Sequence, residues 1–76
     1  MKEKTKENLK NAFAGESQAH MKYLAFADKA EKENFSNVGR LFRANSFAEQ
    51  VHATNHLRTL SGIKKTPENL QEAVEG

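Results

Sequence analysis

The 76-residue chain has no cysteine. That excludes disulfides, zinc–thiolate sites, cysteine-ligated iron–sulfur clusters and thiol redox chemistry, and it accords with an intracellular protein. Proline occurs once, at Pro67, and glycine four times, at Gly15, Gly39, Gly62 and Gly76. With so few breakers, long helices are favoured. No apolar run approaches the roughly 18 residues of a membrane span. No hydrophobic signal core follows Met1. The expected location is therefore the cytoplasm, with no membrane partner. Neither sign of charge prevails: 12 basic and 10 acidic side chains leave a formal net charge of +2. Lys2, Lys4, Lys6 and Lys10 give a mildly basic start, but charges this mixed describe a solvated surface rather than a nucleic-acid interface. A chain this short buries little of its surface and needs disulfides, a metal or oligomerisation. The missing cysteines leave the last two.

What is present is helical periodicity. From Thr5, a plausible N-cap, to about Glu33, the residues Leu9, Ala12, Phe13, Glu16, Ala19, His20, Tyr23, Ala27 and Ala30 share one face, while Glu7, Asn11, Gln18, Lys22 and Lys29 lie opposite. Asn34-Phe35-Ser36-Asn37 interrupts the pattern; Asn34 suits a left-handed helix end and Ser36 an N-cap. A second helix is predicted over about 37–60, with a buried stripe of Val38, Phe42, Asn45, Glu49, His52, Ala53, His56 and Leu60 and a stop at Ser61-Gly62. The short connection makes an antiparallel hairpin. Thr66-Pro67-Glu68 opens a third helix near residue 67. Its Asn69–Gly76 segment echoes Asn8–Gly15 at Asn, Leu, Ala and Gly. The first copy runs on into Glu16, and the second stops where its glutamate would follow, which reads as the first half of a two-fold repeat. A second apolar set, Ala14, Met21, Ala25, Ala44, Phe47 and Val51, faces away from this stripe and suits helix packing between chains.

The chemistry lies in Glu49-Gln50-Val51-His52 and in Glu16. A Glu-x-x-His pair on one helix and an inward Glu on its neighbour form half of a di-metal carboxylate site, which needs two of each around a four-helix bundle. Counted from the loop at about 1.5 Å per residue, Glu16, Glu49 and His52 lie roughly 25, 19 and 23 Å along their helices, within about one turn of a common level. No Lys or Arg shares those stripes near them, so two inward carboxylates require protonation or a cation. Two hairpins would gather four carboxylates and two imidazoles, a donor set suited to iron or manganese rather than copper. On its own, Glu-x-x-His is a common surface pair; the matching depth of Glu16 is what gives it weight. His20 faces inward near the Glu49 level, where geometry permits ligation, although a hydrogen-bonded core or rim histidine is the plainer reading. His56 lies roughly 10 Å beyond Glu49 along the axis, too far to share its site, and suits a core or helix-end role. Tyr23 reads equally as a core aromatic or as a donor to a ligating carboxylate.

These residues resemble the rubrerythrin family, specifically the N-terminal half of its ferritin-like domain. The carriers are Ala12-Phe13-Ala14-Gly15-Glu16-Ser17-Gln18-Ala19, Arg40-Leu41-Phe42-Arg43-Ala44 and Ala48-Glu49-Gln50-Val51-His52-Ala53-Thr54-Asn55-His56, with Thr66-Pro67-Glu68-Asn69-Leu70 fitting the connection to a second helix pair. The resemblance implies an all-α hairpin, residues 1–76, that completes a ferritin-like four-helix bundle by dimerisation or swapping. It further implies two iron ions per bundle, with manganese or zinc as alternatives. Glu16 and His52 would be terminal ligands, Glu49 the bridging carboxylate and Tyr23 a supporting partner, with His20 and His56 outside the ligand set. The implied activity is reduction of hydrogen peroxide or dioxygen by a homodimer or higher homo-oligomer, using electrons from an external donor such as a rubredoxin. Rubrerythrins usually carry the other helix pair, one further glutamate and often a four-cysteine rubredoxin domain on the same chain, and this sequence has none of them. Ala19 stands three residues after Glu16, so a symmetric dimer would lack that further glutamate. Two other readings are iron oxidation or storage at the same centre, and a non-catalytic helical assembly module.

Overall fold

The computed structural model describes all residues 1–76. Three helices follow in order: α1 Glu3–Lys32, α2 Ser36–Thr59 and α3 Thr66–Glu75. The molecule measures 45 × 30 × 16 Å. Only α1 and α2 pack against each other. The α1–α2 hairpin is therefore a single layer. α3 packs on neither helix of that hairpin.

The helices agree with the sequence reading in number and placement, but the caps differ. α1 begins at Glu3, with Lys2 at the N-cap, and Thr5 lies inside the helix. Glu3 favours the positive end of the helix dipole, and nothing in the preceding residues blocks an earlier start. Phe35 rather than Ser36 occupies the N-cap of α2, and Lys65 rather than Thr66 that of α3; neither helix has a side-chain cap. The Asn69 side chain instead clasps the strand entering α3. It accepts from the Lys64 N–H at 3.0 Å and donates to the Lys64 carbonyl at 2.8 Å.

Both helix ends close in the same way. Asn34 adopts φ 69°, as expected, and the Phe35 N–H reaches back to the Ala30 carbonyl at 2.8 Å. At the end of α2 the left-handed residue is Ser61, with φ 60°, and Gly62 donates to Leu57 O at 2.9 Å. Gly62 is needed for space: a Cβ there would stand 2.3 Å from Leu57 Cδ1.

Where α1 and α2 touch, the residues are small. Only Ala27, Ala30, Gly39, Ser46 and Ala53 are buried. Gly39, Ser46 and Ala53 recur every seventh residue; Ala53 lies on the expected stripe, whereas Gly39 and Ser46 lie outside it. Val38 and His52, expected inside, are 43% and 59% exposed. They face the open side of the layer. A Cβ on Gly39 would lie 2.9 Å from Glu31 Cγ, which shows how near α2 passes over α1. Away from the seam, Tyr23 stacks on Phe42 at 6.1 Å, and Phe26 meets both edge-on. Phe26 and Phe42 border an apolar groove with Ala30, Phe35 and Val38.

Arg43 ties the helices together on the surface. Its guanidinium donates to Asp28 at 2.8 Å and forks onto both Glu31 oxygens at 2.7 and 2.8 Å. These hydrogen bonds hold the Glu31 carboxyl below its ordinary value of 4.5. A depressed carboxylate contributes stability above its unfolded value and loses it as acid protonates the folded form. Thermal melts from pH 6 downward should therefore show a loss of stability through and below about 4.5 that is shallower in Arg43→Gln. Identical pH dependence in the two proteins would show the clasp to be energetically silent, as many exposed ion pairs are.

Candidate metal centre

Glu16, in the middle of α1, and Glu49 with His52, one turn apart on α2, converge on one level. One ligand atom from each of the three lies within 4.8 Å of the others. His52 Nδ1 stands 3.7 Å from Glu16 Oε1. The Glu16 side chain is 27% exposed, while the His52 ring lies largely open on the uncovered face. No lysine or arginine pairs with either glutamate. Two carboxylates and an imidazole are donors that suit iron. Further, Glu16 Oε2 is buried without a hydrogen-bond partner. Such an atom is costly unless something compensates it. The donor set fits a divalent cation; the orphaned oxygen faces His56 Nε2.

His56 requires a correction. Its Nε2 lies 3.0 Å from Glu16 Oε2, so it borders the centre instead of standing apart from it. At about 1.5 Å per residue, the Glu16 level falls between those of His52 and His56. His56 does not, however, join the mutual set of Glu16, Glu49 and His52.

His20 takes a different part. Its Nδ1–H donates to the Ser46 carbonyl at 2.9 Å and also lies 2.8 Å from Ser46 Oγ, which in turn donates to His20 O at 2.9 Å. This network assigns the proton to Nδ1 and pins the two helices together beside the centre. Ser46 was not singled out from the sequence; a small polar residue in a helical seam leaves no periodic signal. Tyr23 is packed as an aromatic, and its hydroxyl bonds to neither glutamate.

The rubrerythrin family profile matches this chain over residues 7–76. The chain belongs to the rubrerythrin family. Rubrerythrin-2 of Clostridium acetobutylicum is 37% identical over 95% of this chain and 47% of its own length. Rubrerythrin of Porphyromonas gingivalis is 35% identical over 96% of this chain and 43% of its own length. Nigerythrin of Nitratidesulfovibrio vulgaris is 50% identical over 63% of this chain, but only 24% of its own length. The chain thus spans less than half the length of these relatives. The all-α architecture is that of a ferritin-like rubrerythrin domain, and Glu16, Glu49 and His52 all lie within the matched span. No helix is long and apolar enough to cross a membrane.

Proposed function

We propose that this rubrerythrin-family chain is half of a non-haem di-iron oxidoreductase, completed by a second copy, that reduces hydrogen peroxide or dioxygen with electrons from an external donor such as a rubredoxin. The observation that carries this reading is the convergence of Glu16, Glu49 and His52 within 4.8 Å. A single hairpin supplies three donors, one half of what a two-metal bundle site uses. Two copies bring four carboxylates, whose four negative charges two divalent ions would balance. In that arrangement Glu16, Glu49 and His52 of the two copies would hold the two ions, with Glu49 as the shared carboxylate. Bound iron would supply the two electrons that, with two protons, turn hydrogen peroxide into two waters, and the external donor would restore them.

The chain's own residues do the rest. The Ser46–His20 pair holds α1 and α2 at a fixed separation, which keeps Glu16 facing Glu49. Tyr23, Phe26 and Phe42 build an apolar wall along the open face. A facing hairpin would close that wall, limit water entry and cover His52.

The test is anaerobic loading with ferrous iron, counting of bound metal, and then addition of peroxide with and without reduced rubredoxin. The expected result is two ions per two chains and peroxide loss matched one-to-one by two-electron donor oxidation. Metal far below that ratio would reject the centre. Peroxide loss with ferric iron released and donor untouched would reject the peroxidase in favour of iron oxidation.

A further inference from the structure

We propose that His56 is a positioning residue for the metal-binding carboxylate of Glu16, holding Oε2 so that Oε1 stays turned toward Glu49 and His52. The inference rests on the metal-centre reading above and adds a residue that the ligand pattern does not include.

The two oxygens of Glu16 have different neighbours. Oε1 faces His52 Nδ1 at 3.7 Å, on the side of the candidate ligands. Oε2 is buried and faces His56 Nε2 at 3.0 Å. That approach is within hydrogen-bond distance but is not aligned as a hydrogen bond, which leaves Oε2 without a partner. The terminal torsion of a glutamate is soft. A modest rotation of the carboxyl group lets the ring N–H donate to Oε2 and brings Oε1 toward a cation held with Glu49 and His52. His56 is placed for this by its own helix. It follows His52 by one turn, stays outside the cluster of three, and has a side chain 28% exposed. Carboxylates that bind metals are commonly held in this way by a hydrogen bond to the second oxygen, and loss of the holder weakens the metal rather than the fold.

The experiment titrates the anaerobic full-length protein with Co²⁺, whose visible ligand-field bands report the donor set. It compares wild type with His56→Leu, His56→Gln and His56→Asn, and melts each metal-free form. Glutamine carries an amide nitrogen to about the reach of Nε2, whereas asparagine falls short. We expect leucine and asparagine to lower Co²⁺ affinity by about 10–100-fold. Stoichiometry and band positions should stay the same, glutamine should restore most of the affinity, and the metal-free melting points should not follow that order. Wild-type affinity in the leucine and asparagine variants would overturn the positioning role while leaving the centre intact. A changed stoichiometry, or bands shifted as for a lost nitrogen donor with no rescue by glutamine, would make His56 a ligand and overturn it as well. A wild type that takes up no Co²⁺ would overturn the metal centre itself, and this role with it.

Discussion

Glu49→Ala is expected to purify as a helical protein that no longer retains metal. Loss of a hydrogen-bonding partner behind a ligand already costs about 10–100-fold in metal affinity. A carboxylate that would touch both ions in the two-chain site should cost more than about 100-fold, since with both copies changed each ion loses two direct bonds and the centre loses two negative charges. The measurement is metal per chain after anaerobic loading and desalting, with Glu68→Ala as control, because that residue lies on α3, which packs on neither α1 nor α2. The metal-free proteins should show the opposite order. Two hairpins face to face crowd four carboxylates, and removing two of them relieves like-charge repulsion. Metal-free Glu49→Ala should therefore melt at or above metal-free wild type. That inversion separates a lost ligand from a damaged fold. Full metal occupancy in Glu49→Ala would show that the bridge has been assigned to the wrong residue.

Spacing made the convergence of the three candidate ligands legible. Glu16 stands in an apolar stripe, and the three-residue interval from Glu49 to His52 sets both on one side of α2, so counting along two antiparallel helices was enough to bring them together. The turn at Asn34 was legible for a similar reason, because few residues accept a left-handed backbone. The seam was legible in part. Ala27, Ala30 and Ala53 lie on the expected stripes, but periodicity weighs bulk and passes over Gly39 and Ser46, whose small size is what permits the contact. Val38 and His52 read as interior because they share the apolar stripe of α2, yet a single hairpin leaves that face open. Helix starts also escaped, since Ser36 and Thr66 could have capped but lie one residue inside their helices. The nearness of His56 to Glu16 follows from helix rise, which sets the Glu16 level between those of His52 and His56.

Melting of the metal-free protein is expected to depend on its concentration. A lone hairpin buries five residues, all small, and leaves Phe26, Phe35, Val38, Leu41 and Phe47 between 43% and 64% exposed. So little buried apolar surface cannot offset the conformational entropy of ordering the chain. Helicity is therefore expected to draw on association, in which a second layer would cover the groove bordered by Phe26, Ala30, Phe35, Val38 and Phe42. For a two-chain unit, a 100-fold rise in concentration adds about 2.7 kcal/mol by mass action. For a folded unit of that combined size this corresponds to a rise in Tm of about 5–10 °C. Circular dichroism melts across that range, with intact-complex mass spectrometry at each end, would record both the shift and the chain number. Phe42→Asp should abolish association and metal retention together, because the ring lies on the face that bears the centre. Phe47 points from the opposite face, 64% exposed, so Phe47→Asp should keep the two-chain unit and its metal. Melting independent of concentration, with full helicity at the lowest concentration, would mean that the hairpin stands alone. The four-carboxylate site, which needs two copies, would then have no means of forming.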